Sequence, residues 1–226
     1  MSTITKAKHV AIILDGNRRW ARSRDLPTLE GHLAGRHVTR ECLEWSLEAG
    51  LSSLTIFAFS TENWKRNGSE VAALMALFVE ALKSDLDLYI ERGVRLKVVG
   101  ERDRLNEELR ALVEYSEEKT KDGATLTLYI ALSYGGRSDI LHAITQLEMK
   151  GAHAISPDEL LEHLMVPVEP DLIIRTGGER RLSNFLLWQA AYSELFFVDT
   201  LWPDFTKEEF LEILESFNVR SRRFGA

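Results

Sequence analysis

The chain has 226 residues, 45% of them apolar and 28% charged, with a formal net charge of −7, which is ordinary usage for one large or two small globular domains. These values exclude collagen-like, disordered and disulfide-scaffold chains, and the acidic balance argues against an extended nucleic-acid surface. No apolar run reaches the roughly 18 residues of a membrane-spanning helix, and the first nine residues lack the apolar segment of a secretory signal, so a cytoplasmic protein is expected.

Residues 9–14 form a short apolar run that predicts a strand, and residues 35–50 repeat Val38, Cys42, Trp45 and Leu47 at helical spacing. Residues 54–59 predict a second buried strand. Residues 70–92 predict a long apolar helix closed by Gly93. A strand over 94–100, a charged helix over 105–121, a strand over 125–132 and a helix over 138–150 follow. The proline-bearing stretch 151–170 reads as a mobile or variable connection. A strand over 172–175 and helices over 185–191 and 206–217 complete the pattern. Strands alternating with helices give an α/β fold with a mostly parallel sheet between helical layers. Without a linker, repeat or low-complexity tract, residues 1–226 are expected to form one domain.

In such a sheet, ligands bind beyond the carboxyl ends of the strands, so the residues there carry the functional reading. The first strand ends in Asp15, Gly16, Asn17, Arg18, Arg19 and Trp20. Backbone N–H groups and guanidinium groups suit a diphosphate, and the carboxylate suits Mg²⁺ held against it; an Asp-Gly turn with solvated arginines would explain this cluster taken alone. The second strand ends in Ser60, Thr61, Glu62, Asn63, Trp64, Lys65 and Arg66, and the fourth in Ser133, Tyr134, Gly135, Gly136 and Arg137. The fifth ends in Arg175, followed by Arg180, Arg181, Leu182, Ser183 and Asn184, the strongest local signal for an oxyanion. Arginine clusters on an acidic chain point to a small anionic ligand.

The lone cysteine, Cys42, reads as small core filler. Of the six histidines only His32, beside the first arginine cluster, reads as functional, and none has zinc-site spacing. The nucleotide loops Gly-x-x-x-x-Gly-Lys-Ser/Thr and Gly-x-Gly-x-x-Gly and the Gly-x-Ser-x-Gly elbow are absent. The long helix with Val71, Leu74, Met75, Leu77 and Phe78 reads either as core or as the wall of a hydrocarbon tunnel. Asp85 and Asp87 read as solvated.

The chain resembles the cis-prenyltransferases, the family of undecaprenyl diphosphate synthase. The resemblance rests on HVAIILDGNRRW at 9–20, Gly31-His32, FAFSTENW at 57–64, SYGGR at 133–137, DLIIRTGGE at 171–179, RLSNFLLWQ at 181–189, YSE at 192–194, WPDF at 202–205 and RFG at 223–225. It implies successive Mg²⁺-dependent condensations of isopentenyl diphosphate with an allylic diphosphate such as farnesyl diphosphate. It further implies a homodimer and a lipid-like product that brings transient contact with a membrane surface. By the same resemblance Asp15 holds the metal, with Glu194 as a second contact. Gly16, Asn17, Arg18, Arg19, Trp20 and His32 serve the allylic diphosphate, and Arg175, Arg181, Leu182 and Ser183 the isopentenyl diphosphate. Asn63 takes the proton-removal role, with Ser60, Thr61, Glu62, Trp64 and Arg66 around it; the terminal Arg223, Phe224 and Gly225 reach the neighbouring subunit's site. A tunnel mouth is expected at Ala58 and Phe59. The chain departs from the family pattern at Arg18, Thr28, Asn67 and Ser133. The expected product is a polyprenyl diphosphate of undecaprenyl length. A short cis product is the alternative that Thr28 favours, and a non-catalytic partner subunit is the alternative from another class.

Overall fold

The structure, a computed structural model, describes residues 5–151 and 154–220. Strand β1 (His9–Ile13) is buried at every position, as a strand covered on both faces must be. It pairs in parallel with β2 (Ser53–Ser60) on one side and β5 (Leu172–Arg175) on the other. Strands β3 (Val94–Val99), β4 (Leu126–Tyr134) and β6 (Glu194–Phe197) complete a six-stranded parallel sheet in the order β3-β4-β2-β1-β5-β6. The fold class is therefore α/β with a parallel sheet. The chain leaves β1 toward β2 and returns later to β5 on the opposite side, so the carboxyl ends of β1 and β5 flank a topological switch point, where open sheets bind ligands.

One face of the sheet is covered by α2 (Thr28–Ala49), α3 (Gly68–Glu91), α4 (Glu107–Thr120) and α7 (Lys207–Val219), which join Val10, Ile12, Leu54 and Ile56 in the larger core. Cys42 is fully buried in it. The other face is covered by chain rather than by helix: Phe185 and Leu186 are fully buried against Ala11, Ile13, Tyr134 and Ile173. Beside them, α5 (Gly136–Met149) and α6 (Pro157–His163) form a smaller cluster of their own. Among the described residues no helix is long and apolar enough to cross a membrane.

Four local expectations are corrected. Residues 185–191 are not a helix: Ser183, Asn184 and Leu186 have positive φ, and only Gln189–Tyr192 makes a 3-10 turn, so this apolar run is a buried loop that leads into β6. The stretch 151–170 contains α6, started by Pro157 and by reciprocal capping between Ser156 and Glu159. A six-residue helix, α1 (Asn17–Arg22), follows β1. Helix α2 starts seven residues before the expected Gly35, because Gly31 and Gly35 pack against Asn17 rather than making a loop.

Candidate active site

Asp15 stands just past β1 and is the hub of the cleft. Its Oδ1 accepts from Arg19 Nη2 at 3.0 Å and its Oδ2 from Arg175 Nη2 at 2.9 Å, while its carbonyl accepts from Thr176 Oγ1 at 2.7 Å. The Arg175 side chain is only 6% exposed, so its charge needs a partner nearby. Arg175 Nη1 donates to Ser183 Oγ at 2.8 Å and, in a shorter contact, to the carbonyl of Arg181. One buried guanidinium thus ties β1, β5 and the loop after β5 together.

Around this pair lies a cleft of about 510 Å³. Among the described residues six arginines line it (Arg18, Arg19, Arg22, Arg66, Arg175 and Arg181) against the single carboxylate of Asp15. A cationic cleft in an acidic protein concentrates small polyanions. Arg66 is anchored by Glu70 at 3.2 Å, and Arg18 approaches the same carboxylate at 3.7 Å. Ser60 and Asn63 reach the cleft from the end of β2, where Ser60 N donates to Asn63 Oδ1 at 3.1 Å in a reciprocal cap. His32 also lines the cleft; burial first, then the charges of Arg66 and Arg18, push its pKa down to about 4, so its ring is neutral. Two buried polar atoms there, His32 Nε2 and Asn17 Oδ1, have no hydrogen-bond partner among the described residues.

A second, apolar cavity of about 120 Å³ adjoins the first. Leu14, Asn17, His32, Ala58 and Leu74 line both. Ala58 falls at an irregularity in the pairing of β2 with β4, between Phe57 and Phe59, a device that re-aims side chains beside sites. Leu77, Phe78 and Ala81 of α3 wall the cavity toward Leu43 of α2. Phe59 does not line it; that ring is 1% exposed and packs on Trp64. Asp85, expected in solvent, is 5% exposed at this cavity's wall, 3.7 Å from Arg36 and 3.9 Å from Arg40 of α2.

The fold brings together Asp15, Gly16, Asn17, Arg18, Arg19, His32, Ser60, Asn63, Arg66, Arg175, Arg181 and Ser183. It does not bring in the others. Trp20 donates to Asp204 at 2.6 Å and lies under Arg24, and Trp64 donates to Ser133 at 2.9 Å. Thr61, Glu62 and Leu182 do not line the cleft, and Leu182 packs on the core. Glu194 pairs in register with Leu172, and thus with Val10, at the amino end of the sheet, roughly 15 Å along the strands from Asp15. There it accepts from Arg220 at 2.6 Å, so one chain does not bring it to Asp15. Arg223, Phe224 and Gly225 lie outside the described residues. Residues 133–137, read as another anion-binding strand end, do not line the cleft. Ile13, Leu14 and Phe57 line it without having been given a site role, since they look like any core residue in a sequence; Arg22 of the first arginine cluster and Leu74 of the long apolar helix line it too.

Comparison with known proteins adds an independent line of evidence. Residues 13–225 match the family model described as "Putative undecaprenyl diphosphate synthase". An isoprenyl transferase of Aquifex pyrophilus is 47% identical, covering 96% of this chain and 95% of its own. A ditrans,polycis-undecaprenyl-diphosphate synthase of Pseudomonas aeruginosa is 46% identical, over 96% and 90%. Among solved structures, lavandulyl diphosphate synthase from Lavandula x intermedia, in complex with dimethylallyl diphosphate, superposes with a TM-score of 0.93 at 34% identity, covering 97% of this chain and 98% of that one.

Proposed function

The chain belongs to the prenyltransferase family of undecaprenyl diphosphate synthases, and from that premise we propose that its cleft joins isopentenyl diphosphate to an allylic diphosphate, farnesyl diphosphate first, and that the growing chain enters the apolar cavity. The observation that carries this reading is the junction of the two cavities. A cleft with six arginines meets an apolar pocket along Leu14, Asn17, His32, Ala58 and Leu74, which suits a substrate with a diphosphate head and a hydrocarbon tail.

Arg18 and Arg19 hold the allylic diphosphate, and Arg175, Arg181 and Ser183 hold isopentenyl diphosphate. As the allylic carbon–oxygen bond breaks, negative charge gathers on the departing diphosphate, where preorganised guanidinium groups stabilise it most. The new carbon–carbon bond forms and the isopentenyl unit passes a proton to an oxygen of the departed diphosphate, a transfer in which Asn63 has an orienting part. Leu14, Phe57 and Leu74 keep water from the cationic carbon. Among the described residues no three His, Cys, Asp or Glu side chains cluster as metal ligands. That donor set fits Mg²⁺ all the same, since this ion is commonly held by one carboxylate plus substrate phosphates and water; Asp15 is that carboxylate. When bound, Mg²⁺ neutralises the charge developing on the diphosphate. The reading carries with it a cytoplasmic homodimer and transient contact with a membrane surface on product release.

The test is to incubate the protein with Mg²⁺, labelled isopentenyl diphosphate and dimethylallyl, geranyl or farnesyl diphosphate in turn, and size the products. A ladder reaching undecaprenyl length from farnesyl diphosphate is the expected result. A single short product would move the chain to the short-chain enzymes, in line with Thr28, and no product from any primer would sink the proposal.

A further inference from the structure

The SYGGR segment at 133–137, which does not line the cleft, packs against the loop that follows β5. Gly135 lies against the side chains of Asn184 and Thr61, and Gly136 against Leu187 and the Asn184 backbone. A Cβ on Gly135 would stand 2.7 Å from Asn184 Nδ2 and 2.8 Å from Thr61 Oγ1, and one on Gly136 would stand 3.1 Å from the Asn184 carbonyl. Gly135 is extended, with φ −152°, so the glycine serves close approach and not an unusual backbone conformation. Into that space Asn184 fits with its carbonyl and both ends of its side-chain amide engaged. Its carbonyl accepts from Gly136 N at 2.6 Å, its Oδ1 from Arg137 N at 2.9 Å, and its Nδ2 donates to Glu62 Oε1 at 2.9 Å. Asn184 itself has φ +67°, a left-handed conformation that asparagine tolerates better than most residues.

The sequence neighbours of these two partners are what make the contact matter. Asn184 follows Ser183, which with Arg181 lines one side of the cleft; Glu62 precedes Asn63, which with Ser60 lines the other. Neither Asn184 nor Glu62 lines the cleft itself. Glu62 is exposed; what burial it has would raise its pKa, yet its carboxyl is held below the usual range by its own backbone N–H and by Asn184, Ser60 and Thr61. It is therefore a charged acceptor, and charge-assisted bonds are the stronger kind.

We propose that Asn184 is a positioning residue whose single hydrogen bond to Glu62 sets the Arg181–Ser183 side of the cleft at a fixed distance from Asn63. The inference rests on the proposed function, because it takes Ser183 and Asn63 to act on the same substrate. A misplacement of about 1 Å can cost on the order of a hundredfold in rate. Disturbing the clasp should therefore lower kcat while leaving the KM for farnesyl diphosphate, held at Arg18 and Arg19, within about twofold of wild type.

The experiment reverses the polarity of the bond. Asn184→Asp keeps the size, the acceptor for Arg137 and the tolerance of positive φ, but sets two carboxylates face to face. In Asn184→Asp with Glu62→Gln the glutamine amide donates to the new carboxylate and the bond is restored in reverse. Steady-state kinetics with farnesyl diphosphate, isopentenyl diphosphate and Mg²⁺ should show kcat at least tenfold lower in Asn184→Asp and most of that loss recovered in the double variant. Wild-type kcat in Asn184→Asp overturns the proposal, and so does a loss that the double variant leaves in place. If Asn184→Asp fails to fold, Glu62→Ala at its exposed position serves instead, with the same fall in kcat expected and an unchanged kcat overturning the proposal. A wild-type protein without activity would count against the proposed function and not against the clasp.

Discussion

Arg175 Nη2 and Asp15 Oδ2 meet at 2.9 Å across the β1–β5 switch point, and the arginine of the pair is the buried member, 6% exposed against 28% for the aspartate. The relationship is unequal. Asp15 keeps Arg19 at 3.0 Å if Arg175 is removed, whereas Arg175 loses its carboxylate if Asp15 is removed. Asp15→Ala should therefore destabilise the fold by on the order of 1–3 kcal/mol, below the range for fully buried pairs because Asp15 is partly solvated. It should also abolish turnover. Asp15→Asn keeps a hydrogen-bond acceptor for Arg175, so it should fold nearly as well and still lose on the order of a hundredfold or more in kcat. Urea unfolding and product formation measured on both variants decide this, and a fully active Asp15→Asn would remove Asp15 from the chemistry.

Gly31 and Gly35 let α2 pass close to Asn17. A Cβ at Gly31 would stand 2.1 Å from the Asn17 carbonyl oxygen, and one at Gly35 would stand 2.2 Å from Asn17 Oδ1 and 2.9 Å from Trp202 Cδ1. Neither neighbour is the end of a long flexible chain. Gly35→Ala should cost about 1–3 kcal/mol by overpacking and displace an amide that lines both cavities, so kcat should fall with it. Gly50→Ala, where a Cβ meets nothing within 4 Å but φ is +75°, should cost stability and leave kcat unchanged. Denaturant midpoints and kcat for the two variants separate these effects; equal kcat values would show that Asn17 is not held by Gly35.

What was legible in the sequence was whatever is decided locally. Five strands showed as apolar runs, and because a parallel sheet gathers its carboxyl ends, the clusters at Asp15, Ser60 and Arg175 could be placed in one cleft before any contact was known. What was not legible is decided by distant partners. Asp85 reads as solvated in its helix and is buried because Arg36 and Arg40 come to it from α2. Residues 185–191 carry an apolar run fit for a helix, yet the clasp at Asn184 and the burial of Phe185 and Leu186 against the second sheet face impose positive φ and a loop. Helix α6 was missed for a different reason: its start signals, Ser156, Pro157 and Glu159, are local, but the prolines of 151–170 read as a connection. The place of Glu194 was likewise not legible, for only the register of β6 shows that it stands at the end of the sheet away from Asp15 of the same chain.

Stability should fall on mild acidification, with a residue that can be named. His9 is 3% exposed, its Nε2 lies 2.7 Å from Thr55 Oγ1, and burial above all pushes its pKa down from 6.5 to about 4. A lowered histidine pKa means that the unfolded chain binds the proton more readily. The stabilisation is therefore complete above pH 6.5 and is lost as the pH falls from 6.5 through 4, up to about 3 kcal/mol at the end. His32 shifts in the same direction and adds to the slope. Urea unfolding at pH 7 and pH 5 should show the loss in wild type and a smaller one in His9→Gln; equal losses would assign the acid sensitivity to other groups.

Ala58 is the smallest of the five side chains shared by the cleft and the apolar cavity, and it stands where the β2–β4 register slips. A hydrocarbon tail anchored by its diphosphate in the cleft must pass this point to reach Leu77, Phe78 and Ala81. Ala58→Leu narrows the passage without touching an arginine, so the first condensation should proceed near the wild-type rate while later ones stop early. Phe78→Ala widens the cavity beyond it and should shift the products the other way, at a cost in stability toward the low end of the range for large-to-small core changes, because Phe78 is only partly buried. Chromatographic sizing of the products from farnesyl diphosphate reads both effects. If neither variant changes the length distribution, the tail does not grow between α2 and α3, and the cavity there is packing space rather than a product tunnel.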